Sequence, residues 1–584
     1  MTTKFFTLPL FLIFLISQLS FSQSLELPEI GRAGFRGVQK MDESGYYIQF
    51  VESIENTRNV RVIVMNNELQ VQADFKLNLK RDEKLEDLAY TDGKFLLVTA
   101  TFSKKTRSYI VLDKAGVKIN SKDFTELNAR VFDQPARIIP LSNDFLVVSM
   151  FRDKKVGYVI DRYSSSLEAK YSQSFVPEKK KLYPVDFVVG DGVLYILEFY
   201  ARDMSDNFEY HIAGVNLEDG KPLFNNYLKS ADDKSFGYAT FLRLGAKGEA
   251  ISGGMYFNGD KEQEANSAGF FAAVVGKDGV LKYDHKTWKE FADQIKDKNT
   301  STLWGGKTKT LMQDVIVNKD GTFTLIGENF RQGDESKAGG KSPFSVTMST
   351  GSAPQREEWA VTVSDFILID YDANGKFIGL RKMDKPNSVT IIHASTNPDN
   401  SPYVGQFQGL NLANMLNNYG YFPYRFTADV GAEKVFVYQL NYDRMHKEML
   451  YFSRSSAVGL DTVSVDITNS YLKADQELNS KVVKKLGKLG ALQEKMNKSN
   501  GESIQNEITL GRSDDPKNAR SSQSGVVRVL PSNVNGKVLM YDFVPQLSGD
   551  ENQKKNMLAQ YYASKDAAVK AKLKIWYLNI PEKK

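Results

Sequence analysis

The sequence predicts an all-β protein, a β-propeller of seven or eight four-stranded blades with helical and loop insertions. Three observations lead there. A unit made of an apolar strand, a tight polar turn and a second apolar strand recurs about eight times, and a repeat on this scale sets architecture before any single residue is read. Its turns centre near Gly45, Gly93, Asp144, Gly192, Gly248, Gly321, Gly431 and Gly536, with the first four intervals 48, 51, 48 and 56 residues. Most units hold a second turn, as at Gly116, Gly220, Gly279 and Gly375, and two hairpins in roughly 50 residues are the content of one propeller blade. Aromatic residues make up 12% of the chain, and they favour strands together with the many β-branched residues. Tandem β-sandwiches are the alternative, because antiparallel hairpins suit both architectures.

In chain order, residues 1–22 read as a secretory signal. Lys4 gives the positive start, Phe5 to Leu19 the apolar run, and Ser20-Phe21-Ser22 the small residues before a cut that leaves Gln23 first. A run of about 15 apolar residues is short of the ~20 that span a bilayer, so no transmembrane segment is expected after cleavage. Residues 23–584 then read as one propeller domain. In the repeats, Thr91-Asp92-Gly93 precedes Phe95-Leu96-Leu97-Val98, and Gly190-Asp191-Gly192 precedes Val193-Leu194-Tyr195-Ile196-Leu197. Asp-Gly suits a two-residue hairpin turn because glycine accepts positive φ without steric cost.

Four stretches depart from the repeat and are assigned as insertions: 283–312, 331–358, 386–419 and 470–522. The first holds a short amphipathic helix, Trp288 to Ile295. The second is rich in Gly, Ser and Lys, and the third mixes turn residues with a short helical pattern, Leu410 to Leu416. In the fourth, Leu478, Val482, Leu486, Leu489, Leu492 and Met496 recur at helical spacing opposite Lys481, Lys484, Lys485 and Lys488. That basic helix reads as a cover over one opening of the propeller, with an anionic membrane surface as the other reading.

Composition excludes several classes. The 76 basic and 71 acidic side chains leave a net charge of +5, the balance of an ordinary solvated surface rather than a nucleic-acid binder. No cysteine occurs, so disulfides, thiolate metal sites and a lipid-modified cysteine are ruled out. The four histidines, His211, His285, His393 and His446, share no spacing. There is no G-x-S-x-G elbow and no H-E-x-x-H motif. Gly305-Gly306-Lys307-Thr308 and Gly339-Gly340-Lys341-Ser342 resemble the end of a phosphate loop but lack its first glycine, Ser301 and Glu335 standing there.

Two local motifs carry candidate chemistry. Asp370-Tyr371-Asp372-Ala373-Asn374-Gly375 has oxygens at alternate positions like the first half of a calcium loop. The glutamate expected six residues after the glycine is replaced by Arg381, so a plain hairpin turn is favoured and Asp370, Asp372 and Asn374 are a weak metal candidate. The aromatic run Tyr419 to Phe426 offers rings beside polar groups that can stack on a sugar or anchor a protein. Tyr419, Tyr421, Tyr424 and Trp304 are the ligand-binding candidates, although Tyr424 and Phe426 also alternate as a packed strand would.

With its export signal, its lack of cysteine and segments such as Ile369-Asp370-Tyr371-Asp372-Ala373-Asn374-Gly375-Lys376 and Ile391-Ile392-His393-Ala394-Ser395-Thr396, the chain resembles uncharacterised exported Bacteroidota proteins with propeller-like repeats. Leu412-Ala413-Asn414-Met415-Leu416 adds to the likeness. The resemblance implies the fold and an exported location, and it transfers no catalytic residue. The C-terminal Leu573-Lys574-Ile575-Trp576-Tyr577-Leu578 reads as a last blade strand, which favours retention in the periplasm. The expected function is a non-enzymatic periplasmic or cell-envelope binding scaffold for an envelope protein or glycan, without a cofactor. The alternative is a glycan-active hydrolase or lyase using carboxylates in the propeller funnel.

Overall fold

The computed structural model describes residues 24–582 except 29–33, 55–56, 125–134, 153–154, 178–180, 202–207, 233–234, 259–266, 296–307, 333–356, 387, 395–421, 432, 443–446, 457–458, 468–526, 546–548, 551–552 and 554–570. The described strands form eight antiparallel sheets in sequence order. Blades 1 to 7 span 35–79, 83–124, 137–175, 181–227, 235–287, 308–383 and 424–466, each as four consecutive strands from the axis outwards. Blade 8 takes three strands from 528–579, and its outermost strand is β1 (Ser24–Leu27), which pairs with Ala571–Asn579. The eight turns at Gly45, Gly93, Asp144, Gly192, Gly248, Gly321, Gly431 and Gly536 each join the first and second strands of one blade.

Why the second strand of each blade is a continuous apolar run follows from its position. In Lys94–Thr101, Phe95 and Leu97 pack toward blade 1, while Leu96 and Val98 pack toward blade 3. Both faces are covered, so the usual apolar–polar alternation disappears. Each such side chain contributes roughly 1.5–3 kcal/mol on burial. Outer strands alternate instead, with Val71–Leu79 exposing every other residue. The Asp92-Gly93 and Asp191-Gly192 turns have positive φ at both residues (45° and 79°, 49° and 78°), the geometry whose twist matches paired strands.

The ring is closed between blades 8 and 1 by side chains as well as by β1. Asn533 Nδ2 donates to the carbonyls of Asp42 and Gly45 at 3.0 Å each, and its backbone N–H donates to Tyr46 Oη at 2.7 Å. Tyr577 Oη donates to the Asn67 carbonyl at 2.8 Å.

Several insert boundaries move. Residues 283–287 belong to the outer strand of blade 5 and 308–312 to the first strand of blade 6, so helix α1 (Trp288–Ile295) begins directly at a strand end. Thr287 and Glu290 cap it reciprocally, with Thr287 N donating to Glu290 Oε2 at 2.7 Å and Glu290 N to Thr287 Oγ1 at 3.1 Å. Residues 357–363 and 388–394 pair with each other and lengthen blade 6. The segments 410–416 and 470–522 and the signal lie outside the described residues. Among the described residues no helix is long and apolar enough to cross a membrane.

Strand direction divides the molecule into two faces. First-to-second and third-to-fourth connections all emerge on one face, and within blades none exceeds five residues. Second-to-third and blade-to-blade connections emerge on the other, where the spans 333–356, 384–423, 467–527 and 546–570 leave and return. The first is called the turn face below and the second the connection face.

Candidate functional site

The innermost strands line the axis, and six of the eight carry a β-bulge. Pairing shifts at Phe35/Gly37, Leu85/Asp87, Pro184/Asp186, Ala239/Phe241, Met312/Asp314 and Tyr424/Phe426, leaving Arg36, Glu86, Val185, Thr240, Gln313 and Arg425 as the extra residues. A bulge twists its strand and re-aims the residues beside it. The next residue is used as a latch. Asp87 accepts from Leu88 N and, at 2.7 Å, from Ile138 N of blade 3. Asp186 does the same for Phe187 N and for Leu242 N of blade 5. Asp314 accepts from Arg243 Nε at 2.8 Å and from Tyr424 Oη at 3.2 Å.

Near the connection face, blades 6, 7 and 8 bring ionisable groups together in the interior. Glu328 lies near the end of the second strand of blade 6, and Lys385 lies just past that blade's outer strand. Both side chains are fully buried and pair at 3.2 Å. Glu328 Oε2 also accepts from Tyr424 N at the start of blade 7 (3.3 Å). Burial pushes the Glu328 carboxyl up and the Lys385 ammonium down, and their mutual attraction opposes both shifts.

One blade on, Gln439 occupies the register position equivalent to Glu328. It accepts from Arg425 Nε at 3.2 Å and donates to the Val527 carbonyl at 2.9 Å. Arg425 donates further to the carbonyls of Phe422 (2.7 Å) and Tyr424 (3.2 Å). Burial first, then the Arg528 charge, brings its guanidinium down to about 10. Glu448, which begins to line this interior from the third strand of blade 7, accepts from Val527 N at 3.1 Å. Burial and the nearby Asp542 push its carboxyl up to about 8.

A second buried carboxylate sits away from this cluster. Glu198 in blade 4 accepts from Tyr158 Oη of blade 3, Tyr200 Oη (3.0 Å) and Asn225 Nδ2 (2.9 Å). Asn225 is bonded in turn to His211, whose ring stacks on Tyr227 at 4.9 Å.

Of the residues singled out by the sequence, Tyr419, Tyr421 and Trp304 lie outside the described residues. Tyr424 is buried between blades 6 and 7, its ring edge-on to Phe366 at 6.2 Å and its hydroxyl bonded to Asp314 and Thr427. Asp370 faces Arg381, whose Nε donates at 2.9 Å, and also accepts from Thr324. Asp372 Oδ1 accepts from Asn374 N and Lys376 N, the bonds Asp113 makes with Ala115 and Val117 in the blade 2 turn. Asn374 Oδ1 accepts from Lys282 at 3.2 Å.

Glu328, Lys385, Arg425 and Glu448 were not anticipated. Their only local signal is a charge in an otherwise apolar strand, as in Leu325-Ile326-Gly327-Glu328.

This geometry defines an eight-bladed β-propeller with a polar interior on one side of its ring. The chain belongs to a family described as "Family of unknown function (DUF6770)", which it matches over residues 40–452. No curated protein matches its sequence. Among solved structures, it is similar to a europium-containing methanol dehydrogenase at 10% identity and a TM-score of 0.39, covering 96% of this chain and 94% of that one. The WD40 domain of SCAP from fission yeast is similar at 7% identity and a TM-score of 0.36, over 96% and 99%. The polysaccharide lyase Uly1 follows at 8% and 0.33, over 85% and 90%. Likeness this distant transfers no activity.

Proposed function

We propose that the protein is an exported, non-catalytic scaffold of the cell envelope that binds an envelope protein or glycan through its connection face. The observation that carries this reading is the separation of the two faces. Every long connection flanked by described strands departs from one face, and the longest serve blades 6 to 8. Long loops on a rigid ring are where binding surfaces are built. A cut after Ser22 would leave Ser24–Leu27 whole to close blade 8, which supports the export reading.

The test places a photo-crosslinking residue at Asp384 or Lys155 on the connection side and at Lys114 or Lys319 on the turn side. Adducts to the same envelope component from the first pair alone are expected. Equal labelling from both pairs would defeat the face assignment. Sequencing the envelope-associated chain should give Gln23 first, and a start at Met1 would defeat export.

One observation favours a glycan-active enzyme as a second reading. Burial and the nearby Asp542 hold the Glu448 carboxyl up to about 8, the kind of raised carboxylic acid that carbohydrate cleavage uses. Cleavage of envelope glycan by the mature protein, abolished in Glu448→Gln, would establish that reading in place of the scaffold.

A further inference from the structure

The two longest blade-to-blade connections are 384–423, from blade 6 to blade 7, and 467–527, from blade 7 to blade 8. Each leaves and rejoins the ring at a single buried glutamate. At the first, one oxygen of Glu328 meets Lys385 Nζ at 3.2 Å, two residues past the outer strand Phe377–Met383. The other oxygen accepts from Tyr424 N at 3.3 Å, where the chain returns. At the second, the Glu448 carbonyl accepts from Ile467 N at the departure (2.9 Å). Its carboxyl accepts from Val527 N at the return (3.1 Å). The short connection from blade 4 to blade 5 is closed differently, by backbone bonds such as Leu228 N to the Tyr210 carbonyl (2.8 Å) and Gly237 N to the Leu228 carbonyl (2.6 Å).

Gln439, buried in the second strand of blade 7, ties these two bases together. Its backbone N–H donates to the carbonyl of Pro423, the last residue of the first connection, at 2.8 Å. Its Nε2 donates to the carbonyl of Val527, the last residue of the second, at 2.9 Å. Its Oε1 accepts from Arg425 Nε at 3.2 Å, and Arg425 Nη1 holds the Phe422 carbonyl at 2.7 Å. Bonds therefore run from Lys385 through Glu328 and Tyr424 to Gln439, then through Val527 and Glu448 to Ile467. In a low-dielectric interior each of these polar groups is costly to leave unpaired. A base that opens takes partners away from the groups that hold the next one.

We propose that the connections 384–423 and 467–527 form one coupled unit, clamped at their bases by Glu328 and Glu448 and joined through Gln439. Opening the base of one loosens the base of the other. The coupling runs through the ring interior and needs no contact between the connections themselves. Its carriers are discrete hydrogen bonds and one ion pair, so each link can be cut singly by substitution. The proposal stands apart from the connection-face reading, because it concerns the free protein and holds or falls whatever that face binds.

Amide hydrogen exchange of the mature protein, read by mass spectrometry, tests it. The peptides that matter cover 422–430 at the first base and 527–531 at the second, with 193–201 in blade 4 as the reference. Glu328→Ala removes the acceptor of Tyr424 N and should speed exchange over 422–430 about tenfold, the scale of one buried hydrogen bond lost. A smaller rise over 527–531 is the expected coupling, while 193–201 keeps its rate. Gln439→Met cuts the side-chain bonds to Arg425 and Val527 and should speed exchange at both bases. Adding Glu328→Ala to Gln439→Met should then change 527–531 no further, the non-additivity of interacting sites. Should Glu328→Ala fail to fold, Gln439→Met alone decides, through a rise over both 422–430 and 527–531. A rise confined to one base, additive effects in the double variant, or an equal rise over 193–201 overturns the proposal.

Discussion

The turn half and the connection half of this ring are made from the same strands, yet they are held together by different physics. On the turn side, most turns close on their own residues, with neighbouring turns tied by side chains such as Asn533, which bonds the carbonyls of Asp42 and Gly45. Asp92 and Gly93 take positive φ, and Asp113 or Asp372 accepts from its own loop. On the connection side, the joints are long-range. Lys385 crosses from the outside of blade 6 to Glu328, Asp87 reaches Ile138, and Glu448 holds Val527. Local joints tolerate independent change, whereas a buried charged joint does not, because removing one partner strands the other.

The largest expected effect tests that contrast directly. Lys385→Met leaves Glu328 buried without its counter-charge and should cost about 3–5 kcal/mol in urea unfolding. Adding Glu328→Gln should restore much of the loss, since no ion then remains unpaired. A small effect of Lys385→Met with no recovery in the double variant would place this joint with the local ones.

Next comes a turn-side pair of positive-φ glycines that differ in φ and in surroundings. At Gly45 (φ +145°) a Cβ would lie 2.0 Å from the Met65 carbonyl oxygen, while at Gly192 (φ +78°) it meets nothing within 4 Å. Gly45→Val should therefore cost more than about 3 kcal/mol, beyond the ordinary range for a point change. Gly192→Val should cost on the order of 1 kcal/mol from backbone strain alone. Equal losses would mean that φ, rather than contact, governs these turns.

The pH dependence concerns Glu448. Its carboxyl is raised in the folded state to about 8, above the unfolded carboxyl range. The neutral form is the one the fold favours, so this group's contribution is fully present below pH ~4.5 and is lost as pH rises toward 8. Unfolding free energy should fall over that window by a few kcal/mol at most, on the order set by the shift. Glu448→Gln keeps an oxygen for Val527 N and should flatten the profile. An unchanged slope in the variant would assign the pH dependence elsewhere.

The smallest effect concerns the span between the second and third strands of blade 6. Replacing residues 333–356 with a short Gly-Ser linker should change stability by less than about 1 kcal/mol, because closure entropy depends weakly on loop length. A larger loss would show that the connection side is a packed layer.

The division between what was legible and what was not follows the same boundary. The eight hairpin turns could be read from the chain because each depends on neighbours within a few residues: an Asp-Gly pair, or a glycine between two apolar runs. The run Phe95-Leu96-Leu97-Val98 announces burial on both faces for the same local reason. Helix α1 was legible through its spacing, yet the insert 283–312 assigned around it contains strand residues 283–287 and 308–312. Those strands are fixed by pairing with partners such as Phe271 and Glu328, opposite His285 and Leu311, rather than by their own pattern.

By itself, then, the amino-acid sequence determined the repeat, the turn chemistry and the all-β class, because each rests on short-range sterics and on periodic burial. The blade count of eight, the closure by Ser24–Leu27, and the meeting of Glu328 with Lys385 or Arg425 with Gln439 were decided only in three dimensions. Ser-Leu-Glu-Leu has no feature that distinguishes it from any short polar–apolar stretch, and it becomes a strand because the edge of Ala571–Asn579 pairs with it. A lone charge in a strand likewise carries no sign of its partner, since what makes it costly or useful is the low-dielectric space that the closed ring creates around it.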